Sequence, residues 1–133
     1  MNVLLDTSLV IDVLRGGKRG VALMEALEAD GATFHLPSPV LYELSVGFAK
    51  FGARMQQALF ESLASHWHEA PFGDRQARGA GELQADLIAL GEPGSDVDAQ
   101  VAGTALADRM VLASLDADHR RIAAATGIGF RGA

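Results

Sequence analysis

Apolar residues in this chain fall into short continuous runs separated by longer stretches of helical periodicity. Residues 2–5 read as a short buried strand. Leu9, Val10, Val13 and Leu14 form the apolar stripe of a helix that Thr7 or Ser8 can cap and that Gly16-Gly17 ends. Val21, Leu23, Met24, Leu27 and Ala29 mark a second amphipathic helix, stopping near Asp30-Gly31. In residues 33–36, Phe34 and Leu36 alternate with Thr33 and His35, the period of a strand. Ser38 followed by Pro39 signals a helix start, and that helix carries Leu41, Leu44 and Phe48. A fourth helix is expected over 53–65, with Met55, Leu59, Phe60 and Leu63 inward. A short strand at 67–69 and a turn at 71–74 follow, with Asp74 as a cap for a helix over 76–90. Beyond the loop 91–95, the pattern gives a helix over 96–108, a strand over 110–114, a short helix over 121–125 and a strand over 128–130.

Strands that alternate with helices predict an α/β fold, with a mostly parallel sheet covered by helices on both faces. The 133 residues, 49% of them hydrophobic, suit one domain with a core of its own. No cysteine is present, which excludes disulfides, zinc–thiolate sites and thiol nucleophiles. No apolar run approaches the roughly 18 residues that would suggest a membrane span. The opening Met1–Asp6 lacks a basic segment and meets an acid too early for a signal peptide. A cytoplasmic location is therefore expected, with no membrane partner.

Four carboxylates sit at the edges of these apolar segments, where charge is costly. Asp6 ends Val3-Leu4-Leu5, and Glu43 interrupts Leu41-Tyr42 and Leu44. Asp98 opens the small-residue stretch Val101–Ala105, and Asp116 ends Met110–Leu115. Parallel sheets build their sites beyond the carboxyl ends of the strands. Asp6 and Asp116 fall just past strands, while Glu43 and Asp98 fall in expected first turns of helices. The four therefore converge on one edge, and acids brought together there repel unless a cation lies among them. Asp96 and Asp118 are the nearest rivals of Asp98 and Asp116, and Asp12 reads as solvent-facing.

The net charge of −6 opposes general attraction of a phosphate backbone. The 11 basic residues are not evenly spread, however: Arg15, Lys18 and Arg19 cluster after Asp6, Lys50 and Arg54 after Glu43, and Arg120 and Arg121 after Asp116. As solvated helix faces they mean little, but as a set they would make a basic rim around an acidic centre.

The four segments together resemble the motifs of the PIN-domain nucleases, in particular the VapC-type toxins of toxin–antitoxin pairs. Leu4-Leu5-Asp6-Thr7-Ser8 resembles the first motif, and Glu43 with Gly47 four residues later the second. Asp98-Ala99-Gln100-Val101-Ala102-Gly103-Thr104-Ala105 resembles the third, and Ser114-Leu115-Asp116 followed by Asp118-His119 the fourth. The match runs from residue 3 to 122. Two departures stand out. Ser114 replaces the usual Thr but keeps the hydroxyl. His119 replaces the usual Phe, a change expected to weaken one packing contact and to touch no ligand.

The resemblance implies a three-layer α/β/α PIN-like domain over residues 1–133 that hydrolyses RNA, leaving a 5′-phosphate and a 3′-hydroxyl. It implies Mg²⁺ or Mn²⁺, hard ions that take carboxylate oxygens. Such an ion lowers the pKa of a coordinated water and neutralises phosphate charge. Asp6 and Asp98 would be the principal ligands, and Asp116 would complete the pocket or hold a second ion. Glu43 would hold a water or act as general base. Ser114, Thr7 and Ser8 would orient the carboxylates, with Asp96 nearby in support. The implied partners are the RNA substrate, a small cognate antitoxin whose carboxyl-terminal segment crosses the acidic groove, and a second copy of the chain in a homodimer. Met24, Met55 and Phe60 could supply contacts unless they are core. Rival readings are a PIN nuclease of RNA maturation, a metal-dependent phosphatase or phospho-acceptor domain, and a binding module with a dead site. The phospho-acceptor reading lacks a second Asp two residues after Asp6 and a Lys in 110–133.

Overall fold

The computed structural model describes residues 1–133. In chain order the elements are β1 (Asn2–Leu5), α1 (Thr7–Leu14), α2 (Lys18–Ala29), β2 (Thr33–Pro37), α3 (Ser38–Phe51), α4 (Arg54–Ala64), β3 (His68–Ala70), α5 (Asp74–Ala89), α6 (Asp96–Asp108), β4 (Val111–Ala113), α7 (Ala117–Thr126) and β5 (Phe130–Arg131). The strands form one sheet in the order β3-β2-β1-β4-β5, and every pairing is parallel. The architecture is the three-layer α/β/α arrangement that alternating strands and helices require.

The strand order fixes where a site can form. From β1 the chain winds outward through β2 and β3, then crosses back to lay β4 on the other side of β1. The winding direction reverses between β1 and β4. At such a reversal, connections leave neighbouring strands in opposite directions and open a crevice at the carboxyl ends. Asp6 follows β1 directly, and Ser114 follows β4 directly. The register pairs Leu5 with Ala113, so Asp6 and Ser114 emerge side by side.

The central strand is apolar because both of its faces are covered: Val3, Leu4 and Leu5 have no exposed surface. Leu9 and Val10 of α1, Val40 and Leu44 of α3, and Val101, Ala102 and Ala105 of α6 complete the core around it. The small-residue stretch of α6 serves a close helix approach. A Cβ placed on Gly103 would lie 2.6 Å from the Ala80 Cβ and 2.7 Å from its backbone nitrogen, so α5 and α6 meet nearly backbone to backbone.

Several local expectations shift. Asp6 itself, rather than Thr7 or Ser8, occupies the cap position of α1. Glu43 lies in the second turn of α3 because that helix starts at Ser38. In α4 only Phe60 is buried; Met55 and Leu59 face solvent, since the short helix presents one edge to Phe48 and Trp67. Phe60 is thus core, and Met24 packs against the core from α2. Asp12 is not solvent-facing: its Oδ2 accepts the Gly20 backbone N–H at 2.7 Å and ties α1 to the start of α2. The last helix starts at Ala117, four residues before the expected 121, which matters for the site below.

Because Gly103 has no room for a methyl group, Gly103→Ala should lower the unfolding free energy by about 1–3 kcal/mol. Denaturant titration reads this directly, and an unchanged midpoint would show that α5 and α6 separate more freely than their contact implies.

Candidate functional site

At the carboxyl edge, Asp6 leaves β1 with extended backbone and stands where a helix cap would stand, yet its carboxylate makes no capping hydrogen bond. It is turned inward instead and is nearly buried, 4% exposed. Its Oδ2 accepts two hydroxyls, from Ser8 at 2.7 Å and from Ser114 at 2.6 Å. Each serine is itself held in place. Ser8 Oγ accepts the Leu115 N–H at 3.2 Å, and Ser114 Oγ accepts the Asp116 N–H at 2.9 Å. The hydroxyl that Ser114 shares with the usual Thr is therefore the group that orients Asp6. One carboxylate oxygen is fully occupied, which leaves Oδ1 to face the other members of the site.

Oδ1 faces His119. The imidazole has no exposed surface, and its Nε2 lies 3.1 Å from Asp6 Oδ1 and 3.1 Å from Asp98 Oδ1. The expectation that His119 would touch no ligand candidate is thus overturned: it stands between the two foremost ones. The cause is the earlier start of α7. With Asp116 as its cap, His119 falls in the first turn on the buried stripe shared with Ile122 and Ala123. That i, i+3, i+4 spacing was present in the sequence and would have shown the inward face once the helix was begun at the Asp116 cap.

Asp98 comes from the first turn of α6, whose start is fixed by the Asp98 N–H bonding to Ser95 Oγ at 3.1 Å. Asp116 caps α7 by accepting the Asp118 N–H at 2.9 Å through Oδ1. Asp98, Asp116 and Asp118 each offer a carboxylate oxygen, all within 4.8 Å of one another. Asp118, ranked behind Asp116 on sequence, thus shares the cluster with it. Asp96 is exposed in the same first turn as Asp98, and its side chain makes no hydrogen bond or ion pair. Glu43 joins this edge by another route. It is exposed on α3 and accepts the Thr7 hydroxyl at 2.6 Å, one residue from Asp6.

The basic rim is partly realised. Arg15 and Glu43 line a groove of about 340 Å³ between α1, α3 and α4, floored by Ile11, Leu14, Leu44 and Phe48. Arg19 and Arg120 line a smaller pocket beside Ser114 and Asp116. Arg121 is turned aside to Glu92 and Asp118, and Lys50 lies over the Phe51 ring.

The donors suit a divalent cation. Carboxylate oxygens of half-buried Asp98 and Asp116 and exposed Asp118 converge, and both nitrogens of a fully buried imidazole lack hydrogen-bond partners. Asp98, Asp116 and Asp118 are the groups whose oxygens lie close enough together to hold such an ion, with Asp6 beside them across His119.

The charges in this edge are strongly coupled. Burial alone would push the His119 pKa down, but the contact and charge of Asp6 and then Asp98 outweigh it and raise it from 6.5 to about 10. Burial alone would push Asp6 up, yet His119 and the two serine hydroxyls bring its carboxyl below the ordinary 3.8. A raised histidine stabilises the fold fully below its unfolded value and ceases to do so as pH rises through its folded value. A depressed carboxyl contributes above 3.8 and less as pH falls through its folded value. In chelator, therefore, stability should decline steadily from about pH 6.5 to 10. His119→Phe should flatten that alkaline limb; denaturation midpoints at pH 6 and pH 9.5 check both, and equal slopes in the two proteins would contradict the assignment.

Known proteins with this architecture now bear on the site. The fold is similar to that of VapBC2 from Rickettsia felis bound to a DNA fragment from its promoter, with a TM-score of 0.85 and 22% identity over 98% of each chain. It is similar to the DNA-bound VapBC of Salmonella typhimurium, with a TM-score of 0.83 and 21% identity over 98% of this chain and 97% of that one. VapBC-5 from Mycobacterium tuberculosis, a member of the VapBC family of toxin–antitoxin systems, gives a TM-score of 0.78 at 20% identity over 99% and 98%. No curated protein matches the sequence. At these identities the structural likeness speaks for the fold, but the family model described as "PIN domain" matches residues 3–125, the span that carries every strand-end and helix-start carboxylate described above. On that match, the chain belongs to the PIN domain family.

Proposed function

We propose that this chain is a metal-dependent endoribonuclease, a single nuclease domain over residues 1–133 that acts as the toxin of a toxin–antitoxin pair. The observation that carries the reading is the carboxylate edge: Asp98, Asp116 and Asp118 bring carboxylate oxygens within 4.8 Å of one another, and Asp6, at the end of β1, lies beside them across His119, 3.1 Å from its Nε2 as Asp98 is. Mg²⁺ or Mn²⁺ bound there supplies Lewis-acid activation of water and neutralises charge developing on the phosphodiester.

The chain's own residues divide the remaining work. Ser8 and Ser114 immobilise Asp6 through Oδ2, so that its Oδ1 stays aimed at the site. Preorganised charge of this kind needs no rearrangement as the reaction proceeds. Glu43 is exposed and held by Thr7, which suits it to accept the proton of the attacking water. Arg19 and Arg120, beside Asp116, offer donors to the phosphates flanking the scissile bond. In a chain of net charge −6, these arginines and the cation are the attraction that the rest of the surface withholds.

The partner fits the groove between α1, α3 and α4. Its apolar floor suits side chains of an antitoxin segment, and Glu43 at its edge suits a basic residue of that segment. The similarity of the fold to a toxin–antitoxin complex from Klebsiella pneumoniae and to a member of the VapBC family of toxin–antitoxin systems supports an antitoxin as the kind of partner. The exposed apolar side chains Phe51, Met55 and Leu59, around α4, suit contact with that partner or with a second copy in a homodimer.

Asp6→Asn and Asp98→Asn should each lower Mg²⁺-dependent cleavage of RNA by about a hundredfold or more while the circular dichroism spectrum stays native. Cleavage by the wild type that survives excess EDTA would defeat the metal requirement. Expression of the wild type should arrest growth, the Asp6→Asn variant should not, and co-expression of the neighbouring small gene should restore growth. Arrest that the neighbour leaves untouched would instead favour a nuclease of RNA maturation.

A further inference from the structure

Asp6 and Asp98 are held at the carboxyl edge by different means. Two serine hydroxyls fix the Asp6 carboxylate directly. Asp98 is held through its backbone: its N–H donates to Ser95 Oγ at 3.1 Å, and the Ala99 N–H donates to the Ser95 carbonyl at 2.9 Å, which together start α6. The place of Asp98 therefore depends on where the loop 91–95 delivers Ser95.

One side chain grips that loop from α5. The half-buried Gln84 donates from Nε2 to the Gly94 carbonyl at 2.7 Å, and its Oε1 accepts the Gly94 N–H at 3.1 Å. A single amide thus satisfies both backbone groups of one residue, as a neighbouring strand would. Gly94 in turn lies against the turn that carries Asp98. A Cβ placed on it would be 3.1 Å from Ile122 Cδ1, 3.6 Å from Asp98 Cβ and 3.9 Å from the Ala99 nitrogen. From the other side, Arg121 of α7 donates to the Glu92 carbonyl at 2.9 Å. The loop is braced between α5 and α7, and α7 begins with Asp116 as its cap and Asp118 in its first turn.

This brace works against a repulsion. Asp98, Asp116 and Asp118 bring oxygens within 4.8 Å of one another, and like charges so placed push apart until an ion joins them. Asp116 and Asp118 share one helix start, where Asp116 Oδ1 accepts the Asp118 N–H, so their spacing is set locally. Asp98 comes from another helix and is the member free to recede. Without the Gln84 amide, the Gly94 N–H and carbonyl would turn to water for partners. The loop would lift from α5 and take the first turn of α6 with it. An ion would then have to draw Asp98 back and would bind more weakly.

We propose that Gln84 is a positioning residue of the cation site: by clamping Gly94 it holds the first turn of α6 where Asp98 can share an ion with Asp116 and Asp118. The inference rests on the metal-site reading of the preceding subsection. Gln84 touches neither the ion nor the substrate; it acts through the loop, as the outer supports of metal ligands do.

The test is calorimetric titration of the full chain with Mn²⁺, without RNA, beside denaturation midpoints in chelator. Gln84→Met keeps the length of the side chain and removes both hydrogen bonds, and it should weaken Mn²⁺ binding by about tenfold or more. Gln76→Met is the comparison, because Gln76 also ties α5 to α6, at the far end, by donating to Asp108 Oδ1 at 2.9 Å. It should lower the midpoint and leave Mn²⁺ affinity unchanged. Should Gln84→Met fail to fold, Gln84→Asn, one methylene too short to reach Gly94, keeps an amide at the helix surface and should show the same loss of affinity. A Gln84 variant that loses stability but binds Mn²⁺ as the wild type does would overturn the positioning role. So would equal weakening by the Gln76 and Gln84 variants, which would mean general loosening of the α5–α6 contact. In both cases the carboxylate site would stand. Failure of the wild type to bind Mn²⁺ or Mg²⁺ would instead overturn the metal site itself, and this inference with it.

Discussion

The burial of one negative charge, that of Asp6, is the constraint on which the carboxyl edge of the sheet depends. A carboxylate taken out of water at the end of a central strand is tolerated only if its oxygens are satisfied. Two serine hydroxyls, one from each side of the β1–β4 pair, satisfy Oδ2. Those serines are in turn fixed by backbone N–H groups of the β4–α7 connection. The orientation of Asp6, the path of residues 114–116 and the start of α7 are thus one connected unit. The same unit decides where Asp116 and His119 point.

The sheet topology makes that unit possible. Because the winding reverses between β1 and β4, two loops that are far apart in sequence open from adjacent strands. The α6 helix then has to bring Asp98 to the same edge. It approaches α5 closely enough that only Gly103 fits opposite Ala80, and its Ala-rich inner face lets it sit near the sheet. Small residues remote from the chemistry therefore set the distance at which Asp98 meets the Asp6 side of the site.

Much of this was legible along the chain. The strands, most of the helix starts and the strand-end or helix-start positions of the carboxylates follow from apolar periodicity and capping residues. Other features were not legible, and for identifiable reasons. Met55 and Leu59 have the spacing of an inward stripe but face solvent, because periodicity reveals which residues share a face and not whether another element covers it. Asp12 looked solvated because its partner, the Gly20 N–H, lies across a turn in the next helix. His119 looked like a weakened packing residue because it stands where the motif carries Phe; that two carboxylates lie against this inward position depends on β1 and α6, which are distant in sequence.

The sequence by itself determined the order of elements, the PIN-domain motifs and the set of acids able to serve a cation, since all of these are local patterns of residue type and spacing. Only the tertiary structure decided which members of that set meet. It seated Asp118 beside Asp98 and Asp116, left Asp96 outward, tied Glu43 to the edge through Thr7, and drove a histidine between two carboxylates. The direction of a side chain at a helix start depends on how that helix packs against elements distant in sequence, and no local pattern carries that information.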